Sequence, residues 1–243
     1  EAGFKTTTTN RRLHIDGALF YYDYQDKQIL GRVLDPLFGP LLQMINVPKS
    51  RVTGAELQAS WFPLEGLSLT TGVSYVDSEV LDDFVNYNPD GVLTNLGGEA
   101  FPNTPKWHML ADINYVRPIG DRLNGFVGGG VNYQGETNSQ LGELPSLNVK
   151  AYTLVDLRAG VESQTGNWRL WAWGRNVGDV YYWTAARRPT AFRSATSSSR
   201  GQPIWAGHTG MRGWLQRQLP SGKLADGRDT IGSGRYLRAD TLG

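Results

Sequence analysis

The sequence predicts an all-β fold, an antiparallel up-and-down transmembrane β-barrel, and three observations predict it. Apolar and polar residues alternate with the period of a strand through residues 1–184. The connections between the alternating segments switch strictly between short and long, as periplasmic turns and extracellular loops do in outer-membrane barrels. The segments run to about eleven residues, roughly twice the usual length of a globular strand.

Composition removes several other answers. The 243 residues carry a net charge of +1 from 24 basic and 23 acidic groups, so nucleic acid is not an expected partner. The absence of cysteine excludes disulfides, thiolate metal sites and thiol nucleophiles. No run of 18 apolar residues occurs, so no transmembrane helix is available. Residues 1–25 lack a basic start followed by an apolar stretch, and the sequence opens at Glu1, so an upstream part is expected. Thirty Gly, eight Trp, eleven Tyr and eight Phe accompany a mean hydropathy of −0.38, a pairing that suits turn-rich β chains and membrane barrels alike.

The alternation places eight strands at about 2–9, 12–25, 51–62, 67–78, 106–117, 122–134, 151–162 and 168–177. In the second, Leu13, Ile15, Gly17, Leu19 and Tyr21 share a face; in the third, Ala55, Leu57, Ala59 and Trp61 do so opposite Glu56, Gln58 and Ser60. Leu67, Leu69, Val73 and Tyr75 continue the pattern, then Trp107, Met109, Ala111, Ile113 and Tyr115, then Val127 and Val131, then Val155, Leu157, Ala159 and Val161. In 168–177, Trp171 and Trp173 leave the lipid-facing side open. Short connections fall at 10–11, 63–66, 118–121 and 163–167, and long ones at 26–50, 79–105 and 135–150. Eleven residues at about 3.3 Å span roughly 36 Å, and a tilt near 40° reduces this to about 28 Å, the height of a barrel's apolar band.

Glu56, Gln58, Asp112, Asn114, Asp156 and Arg158 point away from the apolar set, toward a packed interior in a small barrel or toward water or a plug in a wide one. Tyr22, Tyr24, Trp61, Phe62, Tyr75, Trp107, Tyr115, Tyr133, Tyr152 and Trp168 lie near strand ends and are read as an aromatic girdle at the lipid headgroups, with ordinary cross-strand aromatic pairing as the rival use. Charge divides the chain: residues 1–184 hold 14 cations and 20 anions, a net of −6, whereas 185–243 hold 10 and 3, a net of +7. The second segment, rich in Gly, Ser and Arg, reads as a basic tail without regular structure.

Four stretches resemble one family. GFKTTTTNRRLHIDGALFYYDYQDKQI, preceded by Glu1, is similar to the "E-x-G-x-K … F-Y-x-x-Y-x-D" of late barrel strands in TonB-dependent outer-membrane receptors. RVTGAELQASWFPLEGLSLTTGVSYVDSE resembles their "G-x-E … P … G-L-x-L … G … Y" hairpin, FPNTPKWHMLADINY their "P-x-x-P-K" strand entry, and WRLWAWGRNVGDVYYW their "N-x-x-D-x-x-Y" close. Each motif is weak alone; the ordered set is specific and covers residues 1–184.

The resemblance implies a 22-stranded barrel around an N-terminal plug, importing a scarce ligand such as a ferric siderophore, vitamin B12, haem or a glycan. It implies residence in the Gram-negative outer membrane, with membrane lipid and the TonB complex as partners and no resident cofactor. This chain holds neither plug nor TonB box, so it is expected to be a C-terminal portion of the barrel, an open curled sheet that does not transport alone. The family normally ends on a terminal aromatic residue, whereas this sequence ends Leu242-Gly243. Loss of the reading frame near 185–190 is the expected reason.

No catalytic constellation is evident. His14, His108 and His208 are dispersed, Ser197–Ser199 lacks a nucleophile-elbow context, and Gly128–Gly130 sits inside a strand pattern, where close backbone approach is the natural use. Asp82, Asp83 and Asp90 read as a solvated acidic loop in preference to a Ca²⁺ site. The candidates for ligand stacking are Phe84, Tyr87 and Phe101 in the 79–105 loop, with loop packing as the rival use. Leu37–Val47 is unusually apolar for a loop and suits a cover over the barrel mouth. Three rivals to a receptor remain: a self-contained eight-stranded membrane barrel, a barrel-embedded enzyme and a soluble β-sandwich.

Overall fold

The computed structural model describes residues 1–187 and the backbone at 204–207 and 212–218. The wall strands are β1 (Ala2–Thr7), β2 (Leu13–Asp35), β3 (Gly39–Trp61), β4 (Leu67–Val80), β7 (Trp107–Ile119), β8 (Leu123–Gln134), β11 (Tyr152–Ser163) and β12 (Arg169–Arg175). Smaller elements fill the long connections: β5 (Val85–Tyr87) with β6 (Leu93–Asn95), and β9 (Thr137–Asn138) with β10 (Asn148–Val149). β15 (Arg212–Gln218) extends the wall beside β12, while β13 (Trp183–Arg187) and β14 (Ile204–Gly207) form a separate pair.

Neighbouring strands pair antiparallel in the order β15-β12-β11-β8-β7-β4-β3-β2, and β2 carries β1 on the lower part of its free edge and the β5–β6 hairpin higher up. The sheet is open, as expected: among the described residues β1 and β15 have no pairing with each other. A self-contained eight-stranded barrel needs its end strands joined, and these are not.

Register gives the two faces directly, because residues opposite one another in the ladder share a side. Row after row of one face is apolar: Leu19/Ala55/Tyr75/Trp107, then Gly17/Leu57/Val73/Met109, then Ile15/Ala59/Thr71/Ala111/Val131/Val155, then Leu13/Trp61/Leu69/Ile113/Gly129/Leu157. Leu57, Ile113, Val131 and Leu157 on this face are exposed. From the Leu67–Tyr115 row to the Tyr75–Trp107 row is eight steps, or about 26 Å of strand, which matches a bilayer's apolar band. Glu56, Gln58, Asp112, Asn114, Asp156 and Arg158 occupy the other face, as the alternation predicts. Trp171 and Trp173 join them, opposite Gly160 and Arg158, while Leu170 and Ala172 continue the apolar side.

Each short turn holds one left-handed residue: Arg11, Gly66, Gly120 and Gly166. Gly66 is needed on a second count, since a Cβ there would lie 2.0 Å from the Val116 carbonyl oxygen.

Two expectations are corrected. The 26–50 segment is a hairpin, not a loop: β2 and β3 continue through it to a turn in which the Asp35 carboxylate accepts hydrogen bonds from the Leu37 and Phe38 N–H groups at 2.8 and 2.9 Å. The ladder breaks at one place, between Gln25↔Lys49 and Lys27↔Val47, where Asp26 is left-handed (φ 53°) and Pro48 has no N–H to give. The chemistry of those two residues reads as loop in sequence, which hides the strands beyond. The aromatic girdle is also smaller than predicted. Trp61, Tyr75, Trp107, Tyr115 and Tyr133 lie on the apolar face, but Tyr22, Tyr24 and Tyr152 lie on the polar one, and Phe62 and Trp168 lie in turns. Nearness to a strand end fixes height, whereas parity with Leu19 and Tyr21 fixes the face.

The predicted tail lies for the most part outside the described residues. Of it, β15 pairs with β12 from Arg169↔Gln218 to Arg175↔Arg212, and β14 pairs with β13.

Candidate functional site

The polar face is the concave candidate surface, and its centre is a charge pair built by glycine. Arg158 stands on β11 and Asp112 on β7, with β8 between them. The guanidinium crosses that strand to make two 2.7 Å bonds to the Asp112 carboxylate and a longer one, 3.5 Å, to Asn114 Oδ1. The crossing needs bare backbone beneath it: Gly128 sits opposite Arg158 and Asn114, and a Cβ there would lie 2.8 Å from the guanidinium. Gly130 leaves the same room opposite Asp112 and Asp156. Sequence reasoning expected close approach at these glycines, and what approaches is a side chain.

Toward the base of this face Arg169 lies 4.0 Å over the Phe126 ring and pairs with Glu162 at 3.4 Å. His14 bridges Thr7 Oγ1 at 2.7 Å and Asp16 Oδ2 at 3.1 Å, tying β1 to β2. Near the top, Asp156 accepts the Asn176 N–H at 2.8 Å. Asn176 in turn clamps its own turn, accepting from the Val180 N–H at 3.0 Å and donating to the Val180 carbonyl at 2.9 Å. The Tyr182 ring then meets Tyr152 at 4.6 Å, so the N-x-x-D-x-x-Y stretch is held against β11 by local contacts.

Above the wall the connections pack together as a cap with a core of its own. Val47, Val80, Leu96, Phe101 and Leu141 are buried together, with Ile29, Ile45, Val52 and Phe84 packed around them. Phe101 is held from its backbone as well, its N–H donating to Ser78 Oγ at 3.0 Å. The two long loops are joined where Glu99 Oε2 accepts the Gly142 N–H at 2.6 Å. Burial pushes the Glu99 carboxyl above the ordinary carboxylate range; the Gly142 bond opposes this and the charge of Glu143 adds to it.

The three sequence candidates separate here. Phe101, 6% exposed, is a core residue, and Phe84 packs against that core. Tyr87 lies in β5, opposite Arg32 of β2. The apolar stretch from Leu37 to Val47 is divided: Val47 and Ile45 serve the cap, while Leu37 and Phe38 project from the hairpin tip. Sequence reasoning missed a row of rings on the polar face of β2, Phe20–Tyr22–Tyr24, with centroids 5.5 and 6.0 Å apart. The signal was present in the alternation with Leu19 and Tyr21. Lys27 places its ammonium 3.9 Å over the Tyr24 ring and 5.0 Å over Phe101, beside a cleft of ≈ 420 Å³ that Leu30, Leu42 and Met44 also line.

An open antiparallel sheet, apolar outside and polar inside, with its long connections packed together at one end, is a segment of wide barrel wall. The family described as TonB dependent receptor-like, beta-barrel matches residues 1–177. The chain belongs to that family. Solved TonB-dependent receptors share its fold. The siderophore receptor PiuA of Acinetobacter baumannii is 20% identical with a TM-score of 0.60, over 88% of this chain and 27% of its own. The ferric yersiniabactin uptake receptor FyuA of Yersinia pestis is 18% identical with a TM-score of 0.64, over 89% and 28%. The copper transporter OprC is 17% identical with a TM-score of 0.60, over 89% and 30%. The chain thus spans just over a quarter of the length of these barrels, and at such identities the likeness carries the fold alone. Proteins of the family are receptors and transporters of the Gram-negative outer membrane.

Proposed function

We propose that this chain is the C-terminal part of the barrel wall of an outer-membrane receptor that takes up a scarce ligand, an iron chelate, using energy delivered through TonB, without catalysis. The observation that carries the reading is the two-faced open sheet over the residues that match the receptor barrel family. An open sheet in lipid leaves backbone donors and acceptors unpaired at two edges, at several kcal/mol for each group. The remaining strands therefore come from the rest of a receptor, as do the plug and TonB contact, and the chain by itself does not transport. The +7 segment after residue 184 is, in the same reading, sequence that has left the receptor frame.

The test is uptake of radiolabelled iron chelates by cells producing the receptor that contains this wall, with TonB present or deleted. Import that disappears with TonB, by a protein that fractionates with outer membranes, is the expected result. Import indifferent to TonB, or a protein found in the soluble fraction, overturns it. Mass spectrometry of the C-terminal peptides tests the frame: recovery of 188–243 from an intact, functional receptor refutes the frame loss.

A further inference from the structure

We infer that the lipid-facing side of the lower wall holds one anionic glycerophospholipid, with an acyl chain in the groove between Trp61 and Leu157 and the headgroup on the Arg117 guanidinium. The inference goes beyond ligand uptake and rests on the outer-membrane reading above, in which the short turns mark this end as periplasmic.

A groove, a cation and the spacing between them argue for it. On the apolar face Trp61, Leu69, Ile113, Val155 and Leu157 wall a groove of ≈ 610 Å³, floored at Ala111 and Gly129. Within a membrane no hydrophobic gain separates one lipid from the next, so a resident chain is selected by contact. A groove surrounds a chain that a flat face would touch on one side only, and each added contact contributes dispersion. The cation lies below it. Arg117 continues the lipid-facing parity of Ile113 and Tyr115 on β7 and is exposed. Its guanidinium makes no hydrogen bond or ion pair among the described residues, and Glu65 of the neighbouring turn makes no ion pair either. Gly125, its partner in the ladder, offers no side chain, and Ile119 lies across that glycine, where a Cβ would be 2.4 Å from its tip. The charge thus stands beside apolar surface without a counter-ion. The spacing joins the two parts. From Arg117 to Ala111 is six positions, about 20 Å of strand and about 15 Å of height at a tilt near 40°. One leaflet contributes half of a hydrocarbon core about 30 Å thick, which is the same depth. Arg117 is one row below the Leu67–Tyr115 row, at the level of the headgroups. A head on the cation therefore leaves its chain running up the groove to the bilayer midplane, an anatomy that a phospholipid has and a protein neighbour has no reason to copy. A phosphate with no ammonium of its own gains most from the guanidinium, so phosphatidylglycerol is favoured over phosphatidylethanolamine.

The experiment is native mass spectrometry of the detergent-purified receptor that contains this wall, titrated with phosphatidylglycerol and, separately, with phosphatidylethanolamine of the same chains. The variants are Arg117→Gln, Ala111→Phe to fill the groove, and Lys49→Gln at the opposite rim as a control. Heat-modifiable migration shared with the wild type certifies a folded barrel. The expected wild type retains one phosphatidylglycerol and prefers it to phosphatidylethanolamine. Arg117→Gln lowers affinity for phosphatidylglycerol about fivefold and leaves the other lipid nearly unchanged. Ala111→Phe weakens both lipids severalfold, because their shared chains lose the groove. Lys49→Gln alters neither. A wild type that retains no lipid or holds the two alike, an Arg117→Gln variant that keeps the preference, or an Ala111→Phe variant that binds as before overturns the site. Dimers that disappear in Ala111→Phe assign the groove to a second copy of the chain and overturn it as well. TonB-dependent chelate import by a receptor without the lipid preference sinks the site and leaves the receptor standing. The expected lipid pattern in a protein that imports no chelate supports the site and sinks the receptor.

Discussion

The wall and the cap are built from the same strands by opposite rules. In the wall Leu57, Ile113, Val131 and Leu157 point outward and stay exposed, because lipid receives them, while charge is paired on the concave side. In the cap, above the Asp26/Pro48 break, apolar residues turn inward, and Val47, Val80 and Leu96 are buried as in a small soluble domain. Apolar burial in water holds the cap; the wall relies on its ladder and on matching a solvent that is itself apolar. One hairpin, β2–β3, passes through both regimes.

Mutations that respect one rule and violate the other sharpen the contrast. The largest effect is expected of Phe101→Ala, which empties the cap core at a cost of about 3–5 kcal/mol. Hydrogen exchange will show the loss confined to 79–105 and 135–150, with wall amides still protected; equal loss in both regions means that the cap has no core of its own. Next comes Leu57→Arg, at about 2–4 kcal/mol near the middle of the apolar band. Leu37→Arg at the hairpin tip, where the side chain is 87% exposed, costs close to nothing. Urea unfolding in lipid vesicles compares them, and identical costs would show that the outer face does not meet lipid. Gly128→Ala puts a methyl group against Arg158 and the Ile113 carbonyl, with an overpacking cost of about 1–3 kcal/mol and no effect on the cap. The same urea titration reads it, and no loss at all means that the guanidinium has another route to Asp112.

The smallest effect is at Glu99. Its carboxyl titrates above the ordinary range in the folded protein because burial disfavours the charge. The folded cap therefore binds this proton more tightly than the unfolded chain does, and its stability is full below the unfolded pKa and falls as pH rises through the folded one. Glu99→Gln keeps an oxygen for the Gly142 N–H and removes this slope, a change below about 1 kcal/mol. Cap proteolysis from pH 4 to 8 measures it, and an unaltered slope assigns the titration elsewhere.

Most of the wall was legible because period-2 alternation is enforced from both sides, by lipid outside and by polar groups within. The Glu56/Gln58 and Asp112/Asn114 pairs were placed on the correct face for that reason. The cap was not legible. Its strands beyond Asp26 carry apolar residues on both sides, Leu30 and Met44 exposed and Ile29 and Ile45 inside, so alternation disappears where the structure continues. The stacking candidates failed to separate in sequence for a related reason: Phe84, Tyr87 and Phe101 are alike as residue types, and only tertiary packing sends Phe101 into the core. The inner ladder was readable from parity and was misassigned by giving height priority over face.

The guanidinium that crosses β8 has a bearing on how the sheet finds its alignment. A strand displaced by one residue turns its whole apolar set to the wrong side and is rejected at once. A displacement by two keeps every side chain on its proper side, so neither membrane nor interior objects. Arg158 and Asp112, two strands apart, meet diagonally across β8, with Gly128 and Gly130 beneath them. A shift of two in one direction carries the arginine a further row from its carboxylate; the opposite shift brings it into the Asp112–Gly130 row. The bridge thus penalises one of two slipped alignments that hydrophobicity treats as the same.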